Sequence, residues 1–237
     1  MTTVVQAASS MVAAYLLGSF PTGLLLVRLT RGRDIRNWYS GRTGGTNVMR
    51  VAGIWAGLGT AALDVLKAFL AVRLARWITG GSAWLEVISG ALAIIGHNYS
   101  LFLMRWEDGR LKFRGGAGGA SAFGATLGIW PPAGPIILLL ALLILFGIGY
   151  ASVATMSVPL LAGVVFAVRA TAGLQSWVYV AFGILGEIIV VVALLPNIKR
   201  LIAGEERLVG WRAKRKAGIT EEEQSPGETE GQGPAGV

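Results

Sequence analysis

A polar, glycine-rich stretch near the N-terminus carries the residue types that bind phosphate. It runs from Ser40 to Arg50 and reads SGRTGGTNVMR. Glycines let the backbone turn tightly and present its N–H groups to a ligand. Thr46 and Asn47 are typical helix N-caps, and the free amides of a helix N-terminus beside an arginine attract anions. The stretch predicts a phosphate site; a solvated basic loop that only orients the protein is the alternative.

A second cluster combines glycines with cations in the same way. Lys112 and Arg114 precede the sequence GGAGGAS, which begins at Gly115. A glycine-rich segment that leads into a helix can form an anion-binding nest of backbone amides. The segment is no P-loop, because the lysine after the last glycine is missing. Close helix packing at Gly118 and Gly119 is the alternative explanation.

Three of the ionisable residues inside or beside apolar segments are candidates for a role at the site. His97, the only histidine of the chain, stands at the end of the third apolar segment, near both glycine-rich clusters. A histidine can exchange protons near neutral pH, so His97 is the catalytic candidate, with an interfacial anchor as the alternative. Asp64 and Lys67 are one helical turn apart, which predicts an ion pair that supports the first loop from within the membrane.

A third polar cluster follows the last apolar segment. It begins at Pro196 and Asn197, continues with the basic residues Lys199 and Arg200, and reaches an acidic pair at 205–206. A snorkelling basic helix end would explain this cluster taken alone. Three clusters on one side of a membrane are better explained by a shared anion site.

The composition places these clusters in a membrane protein. Of the 237 residues, 54% are hydrophobic and 14% are charged, whereas about a quarter of the residues in soluble domains are charged. With no cysteine and one histidine, the chain offers no disulfide framework, no thiolate metal site and no multi-histidine metal centre. We expect no metal, no cofactor and no nucleic-acid partner.

Seven apolar segments supply the elements that position the clusters. A helix of about 20 apolar residues crosses a bilayer core of roughly 30 Å. Pro21 predicts a kink with freed backbone groups in the first segment, and the fourth segment is short for a span. Six spans are the alternative if segments five and six are misread. The segments are 3–29, 51–79, 83–104, 118–131, 134–150, 151–168 and 174–195.

The basic residues fix an orientation for seven spans. Nearly all of them then fall on the side of the three clusters, and only Arg73, Arg76 and Arg169 fall on the other. Cytoplasmic loops are enriched in Lys and Arg, so the N-terminus is expected outside and the C-terminus in the cytoplasm. The prediction is an all-α integral membrane protein with seven transmembrane helices in 1–206. A basic, then acidic, disordered cytoplasmic tail is expected in 207–237.

The three clusters resemble the three motifs of a known family, the bacterial acyl-phosphate:glycerol-3-phosphate acyltransferases (the PlsY family). The resemblance covers about residues 10–206 in the family's order and spacing, apart from a short insertion near 104–111. The first motif matches GSFPTG from Gly18 and the first cluster, with Asp64 and Lys67 in the next helix. The second matches GHNY from Gly96 and KFRGGAG from Lys112. The third matches NIKR from Asn197, with Gly204 and Glu205.

The resemblance implies a seven-span enzyme of the bacterial inner membrane with its active site at the cytoplasmic face. Members transfer a fatty acyl group from acyl phosphate to the sn-1 hydroxyl of glycerol 3-phosphate, giving lysophosphatidate at the start of phospholipid synthesis. The implied partners are these two substrates and membrane lipid, while the oligomeric state stays open, a monomer included. Carried over by position, Ser40 and Arg50 hold substrate phosphate and Asn197 lines the site.

The predicted site joins residues of all three clusters. His97 is the catalytic candidate, although the attacking hydroxyl could equally lose its proton to a substrate phosphate. The substrate-binding set is Ser40, Gly44, Thr46, Asn47, Arg50, Lys112, Arg114, Gly115, Gly116 and Asn197.

The chain departs from the family's pattern at four positions. Ala117 stands where the family has lysine, and the other three are Arg42 for asparagine, Ser100 for proline and Leu194 for histidine. The missing lysine removes a phosphate ligand. The candidate replacements are the neighbouring cations Lys112, Arg114 and Arg42.

Two other functions would use the same residues. One is an acyltransferase for another phosphorylated acceptor. The other is a small-anion transporter or lipid-binding membrane protein that uses the basic sites without chemistry. A transporter is expected to have a polar path near the midplane and often has inverted repeats. Motifs on one face and no convincing repeat favour the enzyme.

Overall fold

The computed structural model describes residues 2–107, 109–210 and 212–213. Within them the chain is helical, as predicted, with one two-stranded sheet in addition. The predicted disordered tail lies outside the described residues from 214 onward. The helices are α1 (Val4–Ser19), α2 (Thr22–Arg31), α3 (Gly45–Ala52), α4 (Ile54–Thr79), α5 (Ala83–Asn98), α6 (Gly119–Ile129), α7 (Ala133–Ile148), α8 (Ala151–Thr171) and α9 (Val178–Ile202).

Each predicted apolar segment forms helix, and two of them are broken. The first breaks between α1 and α2, where Pro21 stands as the N-cap of α2. Proline has no N–H to continue the helical ladder, so the predicted kink is confirmed. The second breaks at Gly53, whose φ of 93° turns the chain from the short α3 into α4. A residue with a side chain rarely adopts that backbone conformation.

The third apolar segment ends differently from the prediction. Its helix α5 stops at Asn98, and an antiparallel hairpin follows, formed by β1 (Ser100–Glu107) and β2 (Arg110–Arg114). The sequence RLKFR of β2 alternates charged and apolar residues, which is the period of a strand. This strand pattern is present in the sequence. The apolar residues of β1, however, continue the third apolar segment, so the sequence favoured one longer apolar segment there.

Among the described residues, three helical stretches are long and apolar enough to cross a membrane. They are Val4–Arg31, Ala151–Thr171 and Val178–Ile202, and Gly119–Ile129 and Ala133–Ile148 are apolar but shorter. The 26-residue α4 is long enough, but four charged side chains interrupt it. These are Asp64, Lys67, Arg73 and Arg76.

Small residues let the helices pack closely. A Cβ at Gly18 of α1 would lie 2.3 Å from the carbonyl oxygen of Ala93 in α5. A Cβ at Gly124 of α6 would lie 2.1 Å from that of Val65 in α4. Small contact residues are typical of helices that associate within membranes. α4 therefore packs tightly between α1 and α6 and carries its polar residues into the interior.

An ion pair braces the far end of α4. Arg76 donates to both carboxylate oxygens of Glu86 in α5, from Nε at 2.8 Å and Nη2 at 2.5 Å. Arg76 Nη2 also donates to Ile129 O at 3.0 Å, and the Tyr179 hydroxyl donates to Glu86 at 3.1 Å. This cluster joins α4, α5, α6 and α9, about three turns or roughly 18 Å along α4 from Asp64.

Candidate active site

The two glycine-rich clusters meet in space and form one wall. The Thr43 N–H donates to Gly115 O at 3.1 Å, and the Gly116 N–H donates to His97 O at 2.9 Å. A Cβ at Gly115 would lie 2.1 Å from His97 O, and one at Gly116 would lie 1.9 Å from His97 Nε2. These two positions require glycine because the backbone passes directly over the histidine. The structure thus unites two clusters that lie far apart in the chain.

A cavity of about 230 Å³, the main cavity, opens between this wall and helices α4, α8 and α9. Beside it lies a second cavity of about 290 Å³, the basic cavity, which Arg42, Arg50, Arg200 and Arg207 line together with Glu206. The polar and charged residues of the main cavity are Ser40, Arg42, Thr46, Asn47, Arg50, Asp64, His97, Ser152, Thr155, Asn197 and Glu206.

Two arginines line both cavities, and neither forms an ion pair with a carboxylate of the described residues. Arg42 donates to the carbonyl oxygens of Gly116 and Ala193 and to Asn197 Oδ1. Within the described residues, the guanidinium of Arg50 has no hydrogen-bond or ion-pair partner. Burial lowers the pKa of both arginines, because desolvation disfavours the charged form. Arginine nevertheless stays protonated in proteins, so two half-buried positive charges face the cavities.

A buried polar cluster lies beneath the main cavity. The predicted Asp64–Lys67 ion pair is confirmed, with Lys67 Nζ 2.9 Å from Asp64 Oδ1. Thr22 Oγ1 donates to the same oxygen at 2.6 Å. Lys67 Nζ is also 3.1 Å from Nδ1 of His97, which is only 5% exposed. The histidine is therefore coupled to the ion pair, a contact that the sequence did not predict.

Known proteins match almost the whole helical part of the chain. A family model described as glycerol-3-phosphate acyltransferase matches residues 8–204. The chain is 34% identical to glycerol-3-phosphate acyltransferase 3 of Dehalococcoides mccartyi, over 86% of this chain and 95% of that protein. It is 35% identical to glycerol-3-phosphate acyltransferase 2 of Moorella thermoacetica, over 86% of this chain and 98% of that protein.

The chain belongs to the glycerol-3-phosphate acyltransferase family. Its fold also matches a solved structure, that of PlsY, described as an integral membrane glycerol 3-phosphate acyltransferase. The glycerol 3-phosphate form of PlsY gives a TM-score of 0.73 at 30% identity, covering 86% of this chain and 96% of PlsY. The lysophosphatidic acid form of PlsY gives a TM-score of 0.71 at 29% identity. The predicted family is confirmed, and the apolar helices together with this likeness make the chain a multi-pass membrane protein.

Within this acyltransferase-family fold, the first cluster is built differently from the prediction. α3 begins at Gly45, and Gly44 is its N-cap, so the prediction of Thr46 and Asn47 as caps was wrong. Asn47 instead folds back and donates from Nδ2 to Trp38 O at 3.2 Å and to Arg42 O at 2.8 Å. Gly45 and Thr46 stand at the start of α3, where N–H groups have no partner within a helix. Both residues line the main cavity.

The predicted binding residues divide into two groups. Ser40, Gly44, Thr46, Asn47, Arg50 and Asn197 all line the main cavity, together with His97. Lys112 and Arg114 lie on the hairpin, outside that lining, and pair with Glu107 at 3.7 and 2.8 Å. Gly115 and Gly116 line a neighbouring cavity of about 280 Å³ and support His97 from outside the main cavity.

Three residues that line the main cavity were not among the predicted binding residues. Ser152 and Thr155 come from the first turns of α8, where no motif marks them, although their spacing places them on one helix face. Glu206 accepts from Asn197 Nδ2 at 2.8 Å and from Arg200 Nε at 3.2 Å. The chain after α9 folds back to make this contact, and Val209 N–H donates to Gly149 O at 2.9 Å.

Proposed function

We propose that this protein transfers a fatty acyl group from acyl phosphate to the sn-1 hydroxyl of glycerol 3-phosphate and releases lysophosphatidate and phosphate. Family membership supports the reaction class. The observation that carries the proposal is the pair Arg42 and Arg50, which line both cavities and form no ion pair with any carboxylate of the described residues. A half-buried cation that is not paired with a carboxylate is suited to an anionic ligand such as a phosphate.

The reaction needs orientation and charge stabilisation more than a strong nucleophile. The hydroxyl oxygen of glycerol 3-phosphate attacks the acyl carbon, the bond from that carbon to the phosphate oxygen breaks, and phosphate leaves with the electron pair. The hydroxyl proton passes either to His97 or to an oxygen of a substrate phosphate. The acyl phosphate is already activated, so the protein has to align two anions and offset their charge. Arginines and helix-end amides supply that environment without a Ser-His-Asp arrangement.

The roles follow from where the groups lie. Arg50 and the first amides of α3 hold a substrate phosphate, since a helix N-terminus beside a cation favours negative charge. Ser40, lining both cavities with Arg50, adds a hydroxyl. Arg42 and Asn197, joined at 3.3 Å, line the same two cavities and hold the second phosphate.

Arg42 takes the place of the cation that Ala117 does not supply. Its Nη1 is bonded to Gly116 O at 3.1 Å, in the residue next to Ala117. The other two candidate cations, Lys112 and Arg114, are held by Glu107 on the hairpin. Of the three, Arg42 is the one that lines the main cavity.

We also propose the predicted topology, with seven spans, the N-terminus outside and the site at the cytoplasmic face of the inner membrane. The absence of native cysteine allows single cysteines to be introduced at Arg110 and at Ser82. In intact cells a membrane-impermeant maleimide should label Ser82→Cys and spare Arg110→Cys until the cells are opened. The reverse pattern would overturn the orientation.

An acceptor panel tests the function. Purified protein is given acyl phosphate with glycerol 3-phosphate, glycerol or another phosphorylated acceptor, and the products and released phosphate are measured. We expect lysophosphatidate from glycerol 3-phosphate and no ester from glycerol. If the protein acylates only a different phosphorylated acceptor, that acceptor replaces glycerol 3-phosphate as the proposed substrate. If the folded protein acylates none of the acceptors, the enzymatic function is overturned.

A further inference from the structure

The hairpin between α5 and α6 has two faces of opposite chemistry. Successive side chains of a strand point to opposite faces, and residues directly opposite each other in a strand pair share a face. Trp106 pairs with Leu111, and Arg105 pairs with Lys112. One face, the apolar face, is formed by Met104, Trp106, Leu111 and Phe113. The other face, the charged face, is formed by Arg105, Glu107, Arg110, Lys112 and Arg114.

Contacts at the base of β1 turn the charged face toward the protein. Leu103, two residues before Arg105, is 2% exposed and belongs to a small core with four residues of the N-terminal region. Arg105 Nη2 lies 3.8 Å from Asp34 Oδ2. Because alternate residues of a strand share a face, Met104 and Trp106 point away from the protein. The other members of the small core are Leu24, Val27, Ile35 and Val48.

The four side chains of the apolar face are all exposed, and Trp106 is exposed to 73%. Large apolar side chains that are grouped on one exposed surface mark a contact with a partner or with a membrane. Two aromatic rings belong to this group, Trp106 and Phe113. Aromatic side chains are enriched at the level of the lipid headgroups, where an apolar ring can meet acyl chains while its surroundings stay hydrated.

An apolar groove connects the hairpin with the membrane-spanning helices. Phe102, near the start of β1, is 57% exposed and lines a groove of about 530 Å³ together with residues of α1 and α4. α1 is part of the stretch Val4–Arg31, which is long and apolar enough to cross a membrane. The apolar surface of that stretch therefore continues onto the hairpin. The lining of the groove includes Leu16, Leu17, Phe20, Leu63, Leu66 and Leu70.

The charges of the hairpin are suited to anionic phospholipid. Residues 100–114 contain four basic and two acidic residues. Three of the basic residues lie within 4 Å of a carboxylate, Arg105 beside Asp34 and the other two beside Glu107. Arg110 is exposed and forms no ion pair among the described residues. Basic residues at a membrane surface attract anionic lipids, and arginine binds phosphate through paired N–H groups.

We propose that the apolar face of the hairpin lies in the interface of the membrane leaflet beside the active site, and that Arg110 binds the phosphate of an anionic phospholipid there. β2 runs directly into Gly115 and Gly116, which lie against His97, so the leaflet is the one at the active site. This lipid-binding surface does not depend on the proposed acyl transfer. It includes the short insertion near 104–111, by which the chain departs from the family that it resembles.

The alternation along β2 gives a direct test of the membrane contact. Since the chain has no native cysteine, single cysteines at positions 110–113 can each carry one nitroxide label. The labelled proteins are placed in nanodiscs that contain phosphatidylglycerol. Collisions with oxygen, which concentrates among acyl chains, and with a water-soluble nickel chelate are then measured. Circular dichroism shows whether each variant is folded.

We expect the ratio of oxygen to nickel collisions to alternate along the strand. It should be high for Leu111→Cys and Phe113→Cys and low for the neighbouring controls, Arg110→Cys and Lys112→Cys. If Lys112→Cys does not fold because its contact with Glu107 is lost, Arg110→Cys supplies the reading for the charged face. Equal, high nickel access at all positions would place the hairpin in water and overturn the proposal.

The phosphate contact is tested with brominated lipids. A fluorophore on Leu111→Cys is quenched by brominated phosphatidylglycerol or brominated phosphatidylcholine, each titrated into nanodiscs of unbrominated phosphatidylcholine. We expect phosphatidylglycerol to quench at the lower mole fraction. Arg110→Gln should weaken this preference by about fivefold, the effect of one basic residue near an anionic surface, and Arg110→Lys should keep it. Equal quenching by both lipids with Arg110 in place would overturn the phosphate contact.

A second copy of the chain is the other occupant that could cover the apolar face. Nitroxides at Leu111→Cys would then lie close together and broaden each other's spectrum. We expect no broadening that disappears when the labelled protein is diluted with unlabelled protein. Such broadening would overturn the membrane contact in favour of a dimer. Each of these readings can be made without acyl phosphate, so a failure of the proposed function leaves the test intact.

Discussion

Two kinds of arginine occur in this molecule, and they differ in their partners. Arg76, at the far end of α4, is held by both oxygens of Glu86. Arg42, in the wall of the main cavity, is bonded to two carbonyls and an amide oxygen, all of them neutral. The first charge is neutralised inside the protein and joins helices. The second is kept in place but left positive, which is what a binding site for a phosphate requires.

Whether an arginine is paired with a carboxylate does not depend on which end of the helices it occupies. Arg36 lies near the cavities, in the loop that leads to Ser40, and it is paired with Asp34 at 2.9 Å through Nε. The Arg36 guanidinium holds the pKa of Asp34 well below its usual range. Arg36 therefore resembles Arg76, whereas Arg50 resembles Arg42. The presence or absence of a carboxylate partner, rather than position in the chain, separates the structural cations from the cations that we propose bind substrate.

The largest effect is expected where a paired charge is broken. Arg76→Met leaves the Glu86 carboxylate, which is 1% exposed, without its counter-charge. We expect the free energy of unfolding to fall by about 3–5 kcal/mol, while the kcat of the protein that stays folded is unchanged. Unfolding in detergent, followed by circular dichroism, measures the first quantity. The double variant Arg76→Met, Glu86→Leu should recover much of the loss, and failure to recover would show that the pair is not the cause.

For Arg42 we expect the opposite result, a loss of activity with little loss of stability. Arg42→Ala should lower kcat/KM by about 10²–10³-fold, as expected for loss of a donor to developing charge, with little change in thermal stability. Steady-state assays of released phosphate measure this. Arg31→Ala, at an exposed arginine that ends α2, is the matched control and should behave as the native protein. A loss of stability in Arg42→Ala as large as in Arg76→Met would remove the distinction between the two kinds of arginine.

The hairpin cations should give a smaller effect. Arg114 and Lys112 both pair with Glu107 near the surface. A surface ion pair contributes at most about 1 kcal/mol, so Arg114→Ala should change kcat/KM less than about fivefold. The same phosphate-release assay checks it. A loss as large as that of Arg42→Ala would return Arg114 to the substrate-binding set in which the sequence placed it.

The smallest effect concerns the pH dependence of the Asp34–Arg36 pair. The pKa of Asp34 is lowered in the folded protein, so its contribution to stability is present above the usual carboxyl pKa and is lost as the pH falls below it. Asp34→Asn should cost about 1 kcal/mol at pH 7, and the difference from the native protein should shrink below about pH 4. Unfolding curves at both pH values measure this. A difference that grows in acid would contradict the pairing.

The sequence predicted those parts of the fold that have a local signature. Apolar length gave the helices, Pro21 gave the break in the first one, and i,i+3 spacing gave the Asp64–Lys67 pair. The glycine-rich clusters and the family motifs predicted stretches of the chain that line the two cavities. Those features depend on neighbouring residues and on their chemistry, so they can be read without knowing the fold.

The remaining features depend on contacts between distant parts of the chain. Arg42 contacts Ala193 and Asn197 of α9, and Lys67 contacts His97 of α5. No local sequence pattern predicts either contact. The capping prediction was wrong for a local reason, since the extended conformation before α3 falls at Gly44 rather than at a polar residue. Tertiary packing thus decided which cations would be paired and which would face the cavities.

We propose that Arg50, which has no hydrogen-bond or ion-pair partner among the described residues, binds the phosphate of glycerol 3-phosphate. Isothermal titration of glycerol 3-phosphate into native protein, Arg50→Ala and the control Arg31→Ala tests it most directly. Loss of a charged hydrogen bond worth about 1.5–3 kcal/mol predicts that Arg50→Ala binds roughly ten- to hundredfold more weakly, with Arg31→Ala unchanged. Equal affinity in all three proteins would contradict the account.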